Sequence, residues 1–359
     1  MKTALRILVA PLNWGLGHAT RCIPIIQELQ RQGASVVLAS DGRAARLLSE
    51  EFPQLPLFEL PSYNISYPSS SMVWNMALQL PAIAWAVRSE QRFVRKLARE
   101  QQLDAIISDN RYGCYVKGLP CVCLTHQLRI KMPWSLLEGP VAWVNRFQLR
   151  HFKEIWVPDN AGAPNLSGEL SHDMPSQKIR YIGPLSRLQC YARPLRYDVL
   201  LLLSGPEPQR SRLEAELLEQ AKGLPKLRFL IVQGKTESYQ RGMLHEHIEQ
   251  VSFLTSSSLN DAMLESRLVV SRSGYSTLMD LAALGKSALL IPTPGQTEQE
   301  YLAEHFGAQG YFIIQRQGQV NLKQAVDKAA GLRQLDIGPQ PRLLARSVKE
   351  LLTSANLVY

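Results

Sequence analysis

Short apolar runs alternate along the chain with stretches in which apolar residues recur every three or four positions. The first apolar run, at residues 5–10, leads through a glycine-containing loop to a helical pattern over residues 19–32. In the second half, a run at 267–271 leads through a Ser-Gly turn to another helical pattern, which Gly285 ends before a further apolar run at 287–291. Such runs predict buried parallel strands, and the intervening periodicity predicts helices that cross between them. The pattern is therefore typical of β-α-β units.

The same alternation extends over most of the chain. Further strands are predicted at residues 34–39, 57–60, 104–108, 119–124, 154–157, 197–203, 227–232 and 251–254, and further helices at 73–99, 210–222, 295–305 and 342–352. Between residues 158 and 194 the periodicity fades into a segment rich in Pro, Gly, Asn and Ser, which is typical of a connection between domains. Two α/β halves with a cleft between them are the predicted architecture.

The predicted fold class is α/β, with two Rossmann-like parallel-sheet domains facing across a cleft. The boundaries that follow are 1–158 for the first domain, 159–195 for the connection and 196–339 for the second domain. A last amphipathic helix within 340–359 is expected to pack back onto the first domain. The length of 359 residues, with 45% hydrophobic and 20% charged residues, suits two globular domains that each bury a core.

Cysteine usage and hydropathy predict where the protein resides. Five cysteines, and a beginning without a signal-peptide pattern, are typical of the reducing cytoplasm. Cys121 and Cys123 share one face of an apolar run, where core packing is favoured over a metal site because no second ligand pair is suitably spaced. The longest apolar stretch, residues 72–87, is interrupted by Asn, Gln and Pro, so we expect a soluble or peripheral protein rather than a membrane-spanning one.

The chain is basic, with a net charge of +9 and a pI of about 9.3. Such a charge suits nucleic acid, an anionic membrane surface or anionic small molecules. Because the basic residues form no continuous tract, nucleic acid is not an expected partner. Residues 129–153 mix aromatic and aliphatic side chains with Arg and Lys. That mixture suits either the interface of an anionic membrane or an ordinary packed helix with a solvated face.

The turn at Ser273-Gly274 suggests a phosphate site. A helix that begins in such a turn leaves backbone N–H groups unpaired at its positive end, where an anion binds readily. Arg272 adds a positive charge that we expect at the mouth of the turn. Asp280 lies about two turns inside the helix, where its carboxylate is suited to accept hydrogen bonds from a ribose. Phosphate and ribose together indicate a nucleotide, and the alternative is an ordinary β-α-β connection with serines capping a helix.

Polar residues also follow the first strands of the chain. Gly15 and Gly17 allow the backbone to approach a ligand, and His18 lies where the first helix begins. Asp109 ends one predicted strand, and residues 125–127, Thr-His-Gln, end another. Asp109 is suited to pair with His18 and to stabilise its imidazolium, as in a dyad that activates a hydroxyl group. The alternatives are that His18 caps or packs the helix and that Asp109 caps its own turn.

Several of these motifs together resemble the GT-B glycosyltransferases, and especially the MurG-type N-acetylglucosaminyltransferases and the UDP-glycosyltransferase clan. The motifs are Gly-Leu-Gly-His-Ala-Thr-Arg near the start, Gly-Pro-Leu-Ser-Arg187, Ser204-Gly205, Ser-Arg-Ser-Gly-Tyr-Ser-Thr from residue 271 and Ile-Pro-Thr-Pro from residue 291. The resemblance implies that the first domain binds the acceptor and the second binds the nucleotide sugar. Two loops depart from the family pattern, Asn-Trp-Gly-Leu-Gly-His at 13–18 and Leu-Ser-Gly-Pro-Glu-Pro at 203–208.

The resemblance also implies a set of binding residues. Phe253 and Leu254 would flank the uracil and Asp280 would bind the ribose. The remaining members, which would contact the diphosphate, the ribose or the donor sugar, are Gly15, Gly17, Arg187, Ser204, Gly205, Arg272, Ser273, Gly274, Ser276, Thr277, Gln296, Thr297, Glu298 and Gln299. His18 matches the histidine after the family's first glycine loop, and Asp109 resembles its aspartate partner.

The expected activity is inverting transfer of a sugar from a UDP-sugar to an acceptor hydroxyl, on a lipid-linked or cell-envelope glycan. His18 would act as the base, and helix termini with Arg187 and Arg272 would offset the charge of the departing diphosphate. No cofactor and no metal ion are expected, because no Asp-x-Asp pair stands at a strand end. The expected location is the cytoplasm, with peripheral contact at the inner face of the membrane if residues 129–153 bind lipid.

Two alternatives stay open at this point. The start Gly-Leu-Gly-His-Ala-Thr-Arg-Cys22 is also similar to UDP-sugar hydrolases of nonulosonic acid synthesis, which use water as the acceptor. The second alternative is a protein that binds a nucleotide sugar without catalysis.

Overall fold

The computed structural model describes residues 4–63, 72–172, 176–235, 238–333, 335 and 337–357, with the backbone alone at 72–80 and 135. The chain forms two compact units. The first combines Met1–Leu185 with Pro339–Tyr359, and the second is Ser186–Gly338. Among the described residues, no helix combines the length and the hydropathy that crossing a bilayer requires.

The first unit is built on a parallel sheet with the order β3-β2-β1-β4-β5-β6-β7. Its strands are β1 (Arg6–Pro11), β2 (Ser35–Ser40), β3 (Leu57–Glu59), β4 (Ala105–Asp109), β5 (Cys121–Leu124), β6 (Glu154–Val157) and β7 (Ile179–Tyr181). The central strands are buried apolar runs; Ile7, Leu8 and Val9 of β1, for example, are fully buried. Continuous burial of this kind is expected of parallel strands with both faces covered.

The second unit contains a second sheet, with the order β10-β11-β9-β8-β12-β13-β14. Its strands are β8 (Tyr197–Leu202), β9 (Phe229–Val232), β10 (Arg241–His245), β11 (Ile248–Val251), β12 (Ser266–Ser271), β13 (Ala288–Leu290) and β14 (Ile313–Ile314). All its pairings are parallel except that of β10 with β11. The predicted fold class of two parallel-sheet α/β domains is therefore confirmed for each unit.

Helices connect the strands in both units. They are α1 (Leu16–Arg31), α2 (Gly42–Glu51), α3 (Met72–Glu100), α4 (Glu138–Leu149), α5 (Gln209–Lys222), α6 (Ser256–Leu264), α7 (Tyr275–Leu284), α8 (Thr297–Ala308), α9 (Leu322–Ala329) and α10 (Pro341–Asn356). The α7 helix ends at Gly285, which adopts a left-handed conformation with φ of 60°. Glycine adopts that conformation without steric cost, which explains why the helical pattern stops there.

Each sheet reverses its strand order at its first strand. In the first unit, β1 lies between β2 and β4, and Pro11 pairs with Asp109 at the carboxyl end. In the second unit, β8 lies between β9 and β12, and Leu202 pairs with Ser271. Such a reversal opens a crevice between the two loops that leave in opposite directions, and ligands of open α/β sheets bind there. Each unit thus has a defined place for chemistry.

The α10 helix packs within the first unit, against α1 and β4. The Gln32 side-chain amide donates to the carbonyl oxygen of Ala345 at 2.8 Å. An ion pair joins Arg180 to Glu350, with 2.5 Å between the nitrogen and the oxygen. The last helix is therefore attached to elements that precede it by more than 150 residues.

Several segments differ from the sequence-based prediction. The predicted strand at 251–254 is displaced, because β11 pairs with β9 only as far as Val251 and residues 252–255 form a loop. The β10 strand was not predicted; its residues are all exposed and carry no apolar alternation. Much of the predicted connection, 159–195, is folded within the first unit, where Asp159 accepts hydrogen bonds from the backbone of Leu166 and Ser167.

Candidate functional site

The loop after β1 positions a polar face of α1. Gly15 precedes the helix with φ of 92° and ψ of 162°, a conformation open in practice only to glycine. Three side chains of the first turns, His18, Arg21 and Cys22, follow at spacings of three and four and therefore share one face of α1. That face contacts Asp109, the last residue of β4, across the point where the strand order reverses.

His18 and Asp109 are brought together by the structure. Nδ1 of His18 lies 2.9 Å from Oδ1 of Asp109, whose side chain is fully buried, whereas the imidazole keeps some contact with solvent. Among the described residues, Nε2 of His18 has no hydrogen-bond partner. Nη2 of Arg21 also lies 2.9 Å from Nδ1. In the tautomer in which Nδ1 carries the proton and donates it to the Asp109 carboxylate, Nε2 presents a lone pair. This is the tautomer that a general base requires.

Arg21 belongs to this cluster, and the sequence analysis did not single it out as a site residue. Its Nε donates to Oδ2 of Asp109 at 2.7 Å and its Nη2 donates to Oδ1 of the same carboxylate. Its Nη1 lies 2.9 Å from Nδ1 of His126. A guanidinium has only donors, so this imidazole nitrogen must be the acceptor. The spacing of three from His18 in Gly-His-Ala-Thr-Arg was the signal that could have found it.

The Asp109 carboxyl is ionised because of its neighbours. Burial on its own would raise its pKa, but the positive charge of Arg21 and the contact with His18 lower that pKa well below the ordinary value. A permanently charged guanidinium with two bonds to the carboxylate also fixes its orientation. His18 therefore contacts a carboxylate that is both ionised and immobile.

A second buried ionic cluster lies beside this one in the first unit. Arg111 donates through Nη1 to Glu90 at 2.6 Å, through Nη2 to Asp41, and through Nε to the carbonyl oxygen of Pro11 at 2.9 Å. Glu90 also accepts from the Tyr63 hydroxyl at 2.9 Å. The cluster attaches α3 and the end of β2 to the end of β1. Its charges are satisfied within the protein, so its role is structural.

In the second unit, the predicted phosphate turn is held firmly by its own residues. The Ser273 hydroxyl is buried and donates to the backbone oxygen of Gln299 at 2.7 Å. The Gln299 side-chain oxygen accepts from the backbone of Thr293 at 2.9 Å. The start of α7 at Gly274 follows directly, with the half-buried side chains of Ser276 and Thr277 in its first turn. Ser273 and Gln299 therefore shape the turn from within.

Arg272 lies inside the second unit and not at the mouth of the turn, where a positive charge was expected. It is 1% exposed. Its Nη1 donates to the carbonyl oxygens of Ile291 and Pro292 at 3.2 Å, and its Nη2 donates to the carbonyl oxygen of Gln209 at 3.0 Å and to Oε1 of Gln317 at 2.7 Å. Burial lowers the pKa of its guanidinium to about 10, so it stays charged at neutral pH. The sequence could not show this orientation, because its acceptors come from distant segments.

Asp280, the expected ribose-binding residue, is engaged by the loop Ser186-Arg187. The Ser186 hydroxyl donates to its Oδ1 at 2.6 Å. Burial raises the pKa of Asp280 to about 6, against the opposing effects of the Arg187 charge and the Ser186 hydrogen bond. The structure thus brings together three residues of two separate predicted motifs. A carboxyl group with this pKa changes protonation close to physiological pH.

The remaining predicted contacts lie on loops of the second unit. Ser204 and Gly205 are exposed in the loop after β8. The Glu207 carboxylate lies at the beginning of α5, where its Oε2 accepts a hydrogen bond from the Ser211 N–H at 3.2 Å. Gln296 is the residue before α8, and Thr297 and Glu298 begin that helix.

The loop after β11 carries apolar side chains beside an exposed aromatic ring. Phe253 and Leu254 are half-buried there, and the ring of the exposed Tyr239 meets that of Phe253 edge to face with 5.7 Å between centroids. An exposed aromatic beside a half-buried one is a surface on which a planar base can stack. Tyr239 was not predicted, because it lies in the region before β10 that has no regular pattern.

Metal ligands do not cluster in the part of the chain that the structure describes: no three His, Cys, Asp or Glu side chains there form a group that could hold an ion. Cys121 and Cys123 are buried in the core of the first unit, where burial raises the pKa of their thiols to about 11 and about 12.

Residues 212–335 match the family described as Glycosyltransferase family 28 C-terminal domain, so the match falls within the second unit. Among curated relatives, an "Uncharacterized glycosyltransferase" of Methanosarcina acetivorans is 23% identical over 337 residues, covering 86% of this chain and 84% of its own length. The enzyme UDP-N-acetylglucosamine--N-acetylmuramyl-(pentapeptide) pyrophosphoryl-undecaprenol N-acetylglucosamine transferase of Methylobacterium sp. is 27% identical over 308 residues, covering 80% of this chain and 77% of its own length.

Solved structures share the fold over nearly the whole chain. The glycotransferase of kitacinnamycin superposes with a TM-score of 0.65 at 16% identity, covering 99% of this chain and 96% of that one. MurG of Acinetobacter baumannii superposes with a TM-score of 0.54 at 14% identity, covering 98% of each chain. The two parallel-sheet units, the family match and these relatives agree with one another, and the chain belongs to the GT-B glycosyltransferases as a MurG-like member.

Proposed function

We propose that the protein transfers a sugar from a UDP-sugar to an acceptor hydroxyl, with inversion at the anomeric carbon and without a metal ion. The observation that carries the proposal is the contact of His18 with the buried Asp109, which leaves Nε2 of the imidazole without a partner among the described residues. A base of this kind suits direct displacement, because it removes the proton of the hydroxyl that attacks.

The proposed step moves one proton and exchanges one bond. The acceptor oxygen attacks the anomeric carbon while its proton passes to Nε2 of His18. The bond from that carbon to the diphosphate oxygen breaks, and the electron pair leaves with UDP. The imidazolium that forms is stabilised by the Asp109 carboxylate, to which its Nδ1–H is bonded. Arg21 acts as a positioning residue, because it holds both oxygens of that carboxylate.

The second unit would bind the leaving nucleotide. The amides at the start of α7, the exposed Ser204-Gly205 loop and the charge of Arg187 favour a diphosphate. The half-buried Phe253 and Leu254, beside Tyr239, favour a planar base. The choice of UDP is supported by the Methylobacterium relative, whose name includes UDP-N-acetylglucosamine. In place of a metal ion, fixed positive charge and helix amides would offset the charge of the diphosphate.

The acceptor we propose is lipid-linked, reached by peripheral contact with an anionic membrane. Support comes from an exposed apolar patch on and before α4, which consists of Trp134, Leu136, Trp143, Val144 and Phe147. Arg150 stacks on the Phe147 ring with 3.6 Å to the centroid. Exposed aromatics beside bases are typical of a surface that meets lipid headgroups. The Methylobacterium relative has a lipid-linked acceptor in its name, a pyrophosphoryl-undecaprenol.

The proposed activity is tested with the purified protein, UDP-N-acetylglucosamine and other UDP-sugars, and an undecaprenyl-pyrophosphate-linked acceptor. We expect UDP release that depends on the acceptor, a β-linked product from an α-linked donor, and equal rates with and without EDTA. Release of free sugar at the same rate without acceptor would instead indicate hydrolysis. Loss of turnover in EDTA would contradict metal independence.

The membrane contact is tested by co-sedimentation with vesicles of phosphatidylcholine, with or without phosphatidylglycerol. We expect binding that rises with the anionic lipid and falls in the Leu136→Glu variant. Leu357→Glu is the matched control, because both leucines are almost fully exposed, at 89% and 82%, and only Leu136 belongs to the apolar patch. Equal losses in the two variants, or binding indifferent to anionic lipid, would count against the contact.

A further inference from the structure

The loop between β1 and α1 is attached to the start of a different helix, α2. Nδ2 of Asn13 donates to Oδ2 of Asp41 at 3.2 Å, and Oδ1 of Asn13 accepts from the backbone N–H of Ala44 at 3.2 Å. The first N–H groups of a helix have no partner inside that helix, and the residue before it ordinarily supplies an acceptor. Asn13 therefore caps α2 from another loop, and we call its two hydrogen bonds the Asn13 anchor.

The start of α2 is shaped to receive this side chain. Asp41, the residue before α2, is of a type that caps helices well, but its side chain makes no hydrogen bond to the amides of α2. Its Oδ1 accepts instead from Nη2 of Arg111, and its Oδ2 accepts from Asn13. Gly42 follows with φ of 52°, and a Cβ at that position would overlap Nδ2 of Asn13. The amide of Asn13 thus occupies space that only a glycine leaves open.

The start of α1 lacks a cap from the residue before it. Gly15 holds that position and has no side chain, and Gly17, which favours the unfolded chain, is the second residue of the helix. His18 is the third residue of α1, so its contact with Asp109 requires the first turn to stay wound. The Asn13 anchor fixes the chain two residues before Gly15. It therefore determines where the chain enters the turn that carries the imidazole.

We propose that Asn13 is a positioning residue for His18, because its anchor on α2 keeps the first turn of α1 in place against Asp109. The proposal rests on the proposed function only in giving His18 the role of the base. Asn13 begins the loop Asn-Trp-Gly-Leu-Gly-His, which departs from the family pattern. The anchor is thus a feature of this chain that the resemblance did not imply.

The test is hydrogen–deuterium exchange of the Asn13→Ala variant, followed by mass spectrometry of its peptides. Exchange should become about fivefold faster in α2, which loses its cap, and also in the first two turns of α1. Faster exchange in α2 alone would show a purely structural cap and would overturn the proposal. Asn321→Ala is the matched control, because Asn321 caps α9 through the same bond, to the N–H of its third residue, Gln324, at 2.9 Å. It should leave α1 and α2 unchanged.

Exchanging the two side chains of the anchor tests their pairing. In Asn13→Asp alone, two carboxylates face each other, so exchange should rise as it does in Asn13→Ala. In Asn13→Asp/Asp41→Asn, the amide at position 41 can donate to the carboxylate at position 13, which still accepts from the Ala44 N–H, while the amide oxygen accepts from Arg111. Exchange in α1 and α2 should return to the wild-type rate. A double variant that exchanges as fast as the single one would contradict the anchor.

Turnover separates this proposal from the proposed function. In Asn13→Ala, kcat should fall about 10- to 100-fold, since misplacement of a reacting group by about 1 Å has an effect of that size. Affinity for UDP should not change, because the groups proposed to bind it belong to the second unit. A normal kcat together with faster exchange in α1 would overturn the positioning role and leave the proposed function intact. If the wild type transfers no sugar, the proposed function fails, and faster exchange in α1 still supports the anchor.

Discussion

Both units place polar side chains where the sheet reverses its strand order, but the two sets of side chains differ in their hydrogen-bond partners. Where the first sheet reverses its order, Asp109 is bonded by both Arg21 and His18 within the protein. Where the second sheet reverses, Arg272 and Thr293 have donors without acceptors among the described residues. The first arrangement pairs every oxygen of its buried carboxylate, whereas the second leaves two buried donors without acceptors among the described residues. A shared fold thus supports two kinds of site.

The pKa values of a buried acid in each unit, Asp109 and Asp280, are shifted in opposite directions. Against the effect of burial, Arg21 and His18 hold the pKa of Asp109 below its ordinary value of 3.8, so its ionisation stabilises the first unit. That contribution is fully present above pH 3.8 and is lost as the pH falls toward the lower folded value. Asp280, whose pKa burial raises to about 6, has the opposite effect on the second unit.

The largest expected effect concerns the base. In His18→Ala, kcat should fall about 10²- to 10⁴-fold, because the proposed mechanism assigns the proton of the attacking hydroxyl to His18. Affinity for UDP should not change, since the groups proposed to bind it belong to the second unit. Steady-state kinetics and calorimetry measure the two. His245→Ala, which removes an exposed histidine of β10, is the control and should be fully active. Turnover near the wild-type rate in His18→Ala would return this histidine to a structural role.

The next effect measures how much the buried ion pair of Arg21 and Asp109 contributes to the stability of the first unit. Arg21→Met and Asp109→Leu should each destabilise the first unit by about 3–5 kcal/mol, because each leaves a buried charge without its partner. The double variant should recover most of that loss, since it buries no charge, while remaining inactive. All six tryptophans precede residue 157, so urea unfolding followed by tryptophan fluorescence reports the first unit. Additive losses in the double variant would show that the two residues do not act as a pair.

The smallest effect is a change with pH in the free energy of unfolding of the second unit. Between pH 3.8 and about 6, folded Asp280 keeps a proton that the unfolded chain has lost, so stability should decrease as the pH rises. The slope is at most about 1.4 kcal/mol per pH unit, and above pH 6 it disappears. Calorimetric unfolding of the wild type and Asp280→Asn at pH 4.5, 5.5 and 6.5 measures it, because other groups cancel in the difference. A difference that is constant with pH would contradict the raised pKa.

The sequence predicted the fold better than it predicted the contacts. Runs such as Ile7-Leu-Val9 and the glycines at 15 and 285 indicated strands and turns, because burial and backbone conformation are properties of a few neighbouring residues. The β10 strand escaped prediction because its residues are exposed and only its pairing with β11 makes it a strand. The direction of a long side chain likewise depends on partners that are distant in the sequence.

Arginines illustrate that limit most clearly. Arg21 stands in a motif that the sequence made visible, but its carboxylate partner lies 88 residues away. Arg272 was expected at the surface of a turn, and its four acceptors, which come from three other segments, draw it inside. The sequence gives residue types and spacings, and the partner of a buried charge is known only when the whole chain has been folded.

The attachment of α10 to α1 and β4 has a consequence for how the protein is made. The first unit is interrupted in sequence, since its final segment, Pro339–Tyr359, is translated after all of Ser186–Gly338. Domains ordinarily mature in the order in which they leave the ribosome. In this chain that order is reversed: Ser186–Gly338 leaves the ribosome whole while the first unit still lacks its last helix.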